Sequence, residues 1–220
     1  MTPPVTSHRP THRSWLAAVV LLLAVAGCQP PGDGKGAGET SPAATERKAS
    51  ALEQNASADG DKATPSRTEI IGKPDVQAVD PEGREPLDDP ITCLARTIYW
   101  EARGEAAAST EAVASVVMNR LGHAGFPDTV CAVVRQGRES GACQFSWWCD
   151  GRSDRAREDE AYAAAKEIAR RALNLQLKDR TRGALYFHHR DVTPGWSTAY
   201  LKTAEIGEFV FYKPRDGDAR

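Results

Sequence analysis

Among the residues able to move a proton, Glu101 stands in the most unusual position. Asp89-Pro90 has the form of a helix N-cap followed by proline at the first helical position. The helix it starts carries Ile91, Leu94 and Ile98 on one face. At helical spacing Leu94, Ile98, Glu101 and Glu105 share that face, so Glu101 lies inside an apolar stripe where a carboxylate is expensive to bury. Gly104 marks the end of the helix. A carboxyl near a helix C-terminus and among apolar neighbours is pushed above its ordinary pKa, the state a general acid needs at neutral pH. The alternative is that Glu101 pairs with Arg96, Arg103 or Arg120 at the domain surface, and helical geometry by itself does not choose.

A second concentration of chemistry is the run Cys143-Gln144-Phe145-Ser146-Trp147-Trp148-Cys149-Asp150-Gly151. Sugars present apolar faces edged with hydroxyls, so a loop holding aromatic rings beside an amide and a carboxylate suits a carbohydrate cleft. At least one of the tryptophans is expected in the core. Cys93, Cys131, Cys143 and Cys149 allow three disulfide pairings, and the sequence does not choose among them. The pairing favoured is Cys93–Cys131 with Cys143–Cys149, the second closing a small loop. A zinc site joining these cysteines to His188 or His189 has no CxxC or HExxH spacing behind it, so no metal and no cofactor are expected. A cysteine nucleophile fits poorly with an even count in an exported chain.

The elements that must position these residues are mainly helical. A second helix is expected over 109–121, closing on Asn119 and Arg120 before Gly122. A short third begins at Pro127-Asp128, and the longest covers 157–175 with Ala161, Ala165, Ile168, Ala172 and Leu173 inward. Two β-prone runs, 184–188 and 209–213, are expected to form a small hairpin or to cover the helices. Alternation in the first places Tyr186 and His188 on one face and leaves Leu185 and Phe187 for the core. Trp196 reads equally as core or cleft.

The N-terminal part reads differently. His8, Arg9, His12 and Arg13 precede an apolar stretch from Trp15 to Gly27, too short for the roughly 20 residues of a membrane span but right for a signal sequence. It ends on Leu23-Ala24-Val25-Ala26-Gly27-Cys28, which resembles a lipobox with Cys28 lipidated; a plain secretory signal is the alternative, and either exports the chain. Gln29 after the cysteine, where no Asp stands, fits transfer to an outer membrane. The expected domains are a signal peptide over 1–27, a lipidated cysteine and disordered tether over 28–87, a catalytic domain over 88–213 and a disordered tail over 214–220. The tether expectation rests on a composition of Gly, Ala, Ser, Pro, Glu and Lys without sustained periodicity. From Asp88 to Arg220 there are nineteen acidic and nineteen basic residues, a balance that gives no support for nucleic-acid binding. A monomer is expected.

Several segments together resemble the cell-wall hydrolase family named for the spore cortex-lytic enzymes SleB and CwlJ. They are Ile98-Tyr99-Trp100-Glu101-Ala102-Arg103-Gly104-Glu105, Ala112 to Arg120, Phe126 to Cys131, Cys143-Gln144-Phe145-Ser146, Cys149-Asp150-Gly151, Gly183 to His188, and Ile206-Gly207. The resemblance implies a lysozyme-like, mainly α domain with a small β hairpin (α+β) that cleaves peptidoglycan between its amino sugars, with Glu101 as the catalytic acid. Members of the spore type look like lytic transglycosylases, which need one carboxyl, whereas a hydrolase usually needs two. Glu105, Gln144, Phe145, Ser146, Asp150 and Tyr186 are the candidate substrate-binding residues, Asp150 also being a possible second carboxylate. Asn119 and Arg120 are expected to brace the site. Two other function classes compete: an amidase or endopeptidase with a metal or cysteine centre, and a wall-binding lipoprotein without catalysis.

Overall fold

The computed structural model describes residues 41–58 and 63–215. The signal peptide, Cys28 and the last residues of the tail lie outside the described residues. Six α-helices and a three-stranded sheet are found among those described: α1 Pro42–Ser57, α2 Lys73–Ala78, α3 Pro90–Ala102, α4 Ala107–Arg120, α5 Val130–Arg135, α6 Asp159–Leu173, β1 Tyr186–His189, β2 Leu201–Ile206 and β3 Phe209–Lys213.

Helix α3 is the centre. Its Asp89 cap accepts from the amides of Ile91 and Thr92 at 2.9 and 3.0 Å, and Pro90 takes the first helical position, where no amide hydrogen is needed. Eleven of its thirteen residues are buried. Gly104, at φ 85°, turns the chain out of the helix. Helices α1, α4, α5 and α6 pack around α3, and the Cys93–Cys131 disulfide ties α3 to α5. Thr129 caps α5 by accepting from the Ala132 amide, so that helix starts two residues later than the Pro127-Asp128 signal suggests. In α6, Asp159 and Glu160 occupy the first turn and Arg170 and Arg171 the last, which favours the helix dipole at both ends.

The sheet is antiparallel in the order β1-β3-β2. The two expected strands do pair, but the hairpin proper is β2–β3. Strand β2 escaped the sequence reading because Leu-Lys-Thr-Ala-Glu-Ile lies at an edge and none of its residues is buried. Its turn holds Gly207 at φ 57°, where an added Cβ would come within 2.1 Å of Ser109 Oγ. That close approach seats the sheet on α4. Two cores result: a larger one around α3, and a smaller one in which Ala102, Val113 and Val116 meet Ala184, Phe209 and Phe211.

The expected tether over 28–87 is corrected where it is described. Helix α1 starts at a Ser41 cap and buries Ala49, Leu52 and Ala56; Ile71, Val76, Val79 and Leu87 join the larger core. Polar side chains strap this segment down. Asn174 takes both backbone groups of Ile71, at 2.9 and 3.0 Å, and Lys166 donates to the carbonyls of Gln77 and Val79. Asp80 is buried against Arg96, with Nε–Oδ2 at 2.8 Å, and also accepts from Tyr162 Oη and the amides of Arg84 and Glu85. These hydrogen bonds and the Arg96 charge hold the Asp80 carboxyl below its ordinary range, against the opposing effect of burial.

A fragment starting at Asp88 therefore lacks part of its own core and the partner of a buried guanidinium. Thermal unfolding of such a fragment should show no cooperative transition near that of a chain starting at Ser41. Asp80→Ala in the full chain should cost roughly 3–5 kcal/mol, read by denaturant unfolding, because Arg96 is left buried and unpaired.

Candidate active site

Between the two cores lies a cleft of about 680 Å³. The end of α3 and the turn after it supply Glu101, Arg103 and Glu105 to its wall; the end of α4 supplies Arg120, and the loop at Cys143 and Gln144 closes one side. The opposite side is aromatic, built from Tyr186, Phe187 and His188 of β1, from Trp196 and Tyr200, and from Phe209.

Glu101 occupies the last turn of α3, half-buried, with no hydrogen-bond or ion-pair partner among the described residues. Burial pushes its carboxyl up to about 7, and the positive charge of Arg120 works in the opposite direction. The negative end of the α3 dipole adds to the preference for the neutral form. The surface-pairing alternative does not describe this residue. Arg96 is taken by Asp80, Arg103 pairs with Glu158 at 2.6 Å, and Arg120 has no carboxylate within ion-pair distance among the described residues.

The Asn119-Arg120 end of α4 braces the cleft. Asn119 Nδ2 donates to the Ala184 carbonyl at 3.1 Å, and Arg120 Nε donates to the Leu185 carbonyl at 2.8 Å. These bonds fix the lead-in to β1 and so the direction of Tyr186. Its ring stacks on Tyr200 with centroids 4.7 Å apart, and Trp196 stands 5.9 Å away. His188 stacks on Tyr212 at 5.2 Å and its Nε2 lies 3.1 Å from Tyr212 Oη.

Of the sequence candidates, Glu105, Gln144 and Tyr186 line the cleft with Glu101. Phe145, Ser146 and Asp150 do not. Phe145 is fully buried beneath the Arg120 guanidinium, 5.2 Å from its ring centroid, so it supports the site from below. Ser146 is exposed in a short 3₁₀ turn, and Asp150 is exposed and accepts from the Arg152 amide. Trp147 is buried, while Trp148 is covered by Arg135 and Arg138. The aromatic loop thus spends its rings on packing within the Cys143–Cys149 clip. Trp196, left open between core and cleft, lines the cleft, and Tyr200, Val192, Arg103 and His189 were missed as cleft residues. A signal existed in Pro194-Gly195-Trp196-Ser-Thr-Ala-Tyr200, where a breaker pair sets two rings four residues apart outside any long element. All four cysteines of the domain are paired, which leaves no thiolate there, and no group of three or more His, Cys, Asp or Glu is gathered among the described residues.

The fold and cleft define an α+β domain built around one neutralised carboxyl facing an aromatic wall. A family model described as Cell Wall Hydrolase matches residues 104–212, and the chain belongs to that family. Glu101 lies just ahead of the matched segment. Curated relatives include the spore cortex-lytic enzyme of Oceanobacillus iheyensis, 34% identical over 143 residues, covering 64% of this chain and 46% of that one. The spore cortex-lytic enzyme of Halalkalibacterium halodurans is 33% identical over 127 residues, covering 56% of this chain and 34% of that one. The chain thus spans less than half the length of these relatives. Among solved structures, the catalytic domain of the germination-specific lytic transglycosylase SleB of Bacillus anthracis aligns at 30% identity and TM-score 0.45, over 60% of this chain and 98% of that one.

The raised carboxyl has a consequence for stability whose sign is fixed. Its ordinary value is 4.5 and its folded value about 7, so between these the native state keeps a proton that the unfolded chain releases, and stability falls as pH rises through this window. Glu101→Gln removes the effect. The variant should unfold like the wild type at pH near 4 and be more stable at pH near 8 by a margin on the order of 3 kcal/mol, measured by denaturant titration at both.

Proposed function

We propose that the chain cleaves peptidoglycan glycan strands between amino sugars, as a lytic transglycosylase with Glu101 as its single acid and base. The observation that carries this reading is a carboxyl held near pKa 7 without a partner in a cleft with an aromatic wall. In the first step the Glu101 proton goes to the glycosidic oxygen as the bond to the anomeric carbon breaks. In the second the resulting carboxylate takes the proton of the same sugar's C6 hydroxyl, whose oxygen closes on the anomeric carbon. The product is a 1,6-anhydro sugar and no water is consumed. Trp196, Tyr186 and Tyr200 offer ring faces for pyranose stacking, and Gln144 an amide for hydroxyls. Support also comes from the names of the curated relatives, which are spore cortex-lytic enzymes.

The same proposal includes export by residues 1–27, lipidation at Cys28, a monomer on the periplasmic side, and an outer-membrane anchor. Its support is the lipobox-like run and Gln29.

A second reading, hydrolysis with two carboxylates, is favoured by one observation: Glu105 lines the same cleft. Asp150, outside the cleft, is not its second carboxylate.

Digestion of purified peptidoglycan with the full chain, followed by mass spectrometry, separates these outcomes. The expected fragments are lighter by one water than hydrated muropeptides, and Glu101→Gln should reduce their release by about 10²–10⁴-fold. Hydrated fragments lost in both Glu101→Gln and Glu105→Gln would establish hydrolysis. No fragments from the wild type would contradict both readings.

A further inference from the structure

Arg120 carries a positive charge that no carboxylate among the described residues neutralises, although it is only 3% exposed. Its guanidinium is caged. Nε is held by the Leu185 carbonyl, and the guanidinium carbon lies 5.1, 5.2 and 5.6 Å from the ring centroids of Phe126, Phe145 and Tyr186. Nη1 has neither a hydrogen-bond partner nor solvent contact. A charged donor left unpaired in a buried place is destabilising, so a group that pairs with it at some stage is to be expected.

Nη1 itself has no surface to offer a substrate, so a partner for that nitrogen has to come from the protein, although Arg120 also lines the cleft. The groups whose charge the guanidinium feels are Tyr186 and Glu101. A phenol stays neutral near pH 7, which leaves Glu101. Other charged or titratable groups face Glu101 across the cleft: Arg103, occupied by Glu158, and Glu105 beyond the end of α3; His188 and His189 on β1; and Tyr200. Glu105 is half-buried and without a partner among the described residues, as Glu101 is, but it is not among the groups whose charge the guanidinium feels.

We propose that Arg120 is a positioning residue for the ionised form of Glu101: its Nη1 stays free while the carboxyl is protonated, and pairs with the carboxylate once the proton has passed to the glycosidic oxygen. This rests on the reading of Glu101 as the acid. A pair formed before the reaction would hold the carboxyl ionised and unable to donate. While the carboxyl keeps its proton it offers no charge to pair with, and the ring cage and the Leu185 carbonyl hold the guanidinium in place meanwhile. A pair formed after proton transfer stabilises the charge that the first step creates, which is the interaction that accelerates a reaction. When the C6 hydroxyl returns its proton to Glu101, the pair is released and the resting state is restored.

The test needs no glycan. In the full chain labelled with nitrogen-15 arginine, the Arg120 guanidinium signals should shift across neutral pH with a midpoint near about 7, and the shift should vanish in Glu101→Gln. Signals that stay still in folded wild type, or move equally in Glu101→Gln, overturn the proposal. Kinetics on soluble glycan fragments add a second readout. Arg120→Gln should lower kcat with KM little changed and move the alkaline limb of the activity profile up by about one pH unit, because the cation that favours ionisation is gone. Arg120→Lys, which keeps the charge without the fork, should move it less. A loss confined to KM would show that Arg120 serves the substrate and overturn the proposal. Should no glycan be cleaved by the wild type, the function reading fails while the arginine signals still decide this one.

Discussion

Burial of α3 sets the conditions for the rest of the molecule. A helix enclosed by four others brings its last turn to a place where water cannot solvate a carboxylate fully, and Glu101 is the residue standing there. The same enclosure makes a partner valuable to each polar group on α3, although Thr92 Oγ1 is buried without one. Arg96 finds partners in Asp80 and the carbonyls of Asp154 and Glu85, and Thr97 in the Cys93 carbonyl. An ion pair as deep as Arg96–Asp80 contributes little by itself, but with its lone pairs and protons satisfied it holds one arrangement and penalises others. The segment before α3 is part of that arrangement, because it delivers Asp80.

The cleft exists because the chain builds two cores and not one. The smaller core seats the sheet on α4, and the sheet then faces the end of α3 across a gap that neither core fills. Arg120 sits at the junction. It ties α4 to the entry of β1, rests on rings from three segments, and leaves its charge within reach of the acid. Stability and proton chemistry meet in this residue: the bonds that fix the wall also hold in place the cation whose charge Glu101 feels.

What could be read in the sequence was local. The Asp89-Pro90 cap and the stripe that placed Glu101 among Leu94 and Ile98 follow from periods of a few residues, whereas the alternation in β1 held only in part, because Phe187 and His189 line the cleft beside Tyr186 and His188. The two disulfides matched the favoured pairing. What could not be read was long-range. The 41–87 segment has an Ala-rich, mostly polar composition that looks disordered, and much of its order comes from distant partners, such as Ala163 for Gln77 at 86 residues and Asn174 for Ile71 at 103. The Phe145 loop misled for a related reason: an aromatic ring suits a sugar and a core equally, and only the Arg120 guanidinium lying over it decides for the core. Trp196 and Tyr200 belong to a stretch without a strand or long-helix period, and the Pro194-Gly195 breaker before them marks a turn without saying that its rings meet Tyr186.

The claim on which the account turns is that Glu101 titrates near neutral pH, and so keeps a large share of its protons there, because of where α3 puts it. Labelling the chain with glutamate carrying carbon-13 at the side-chain carboxyl, and assigning the signal by its absence in Glu101→Gln, measures this directly. The account predicts a midpoint near about 7, while a midpoint near the ordinary 4.5 would contradict it.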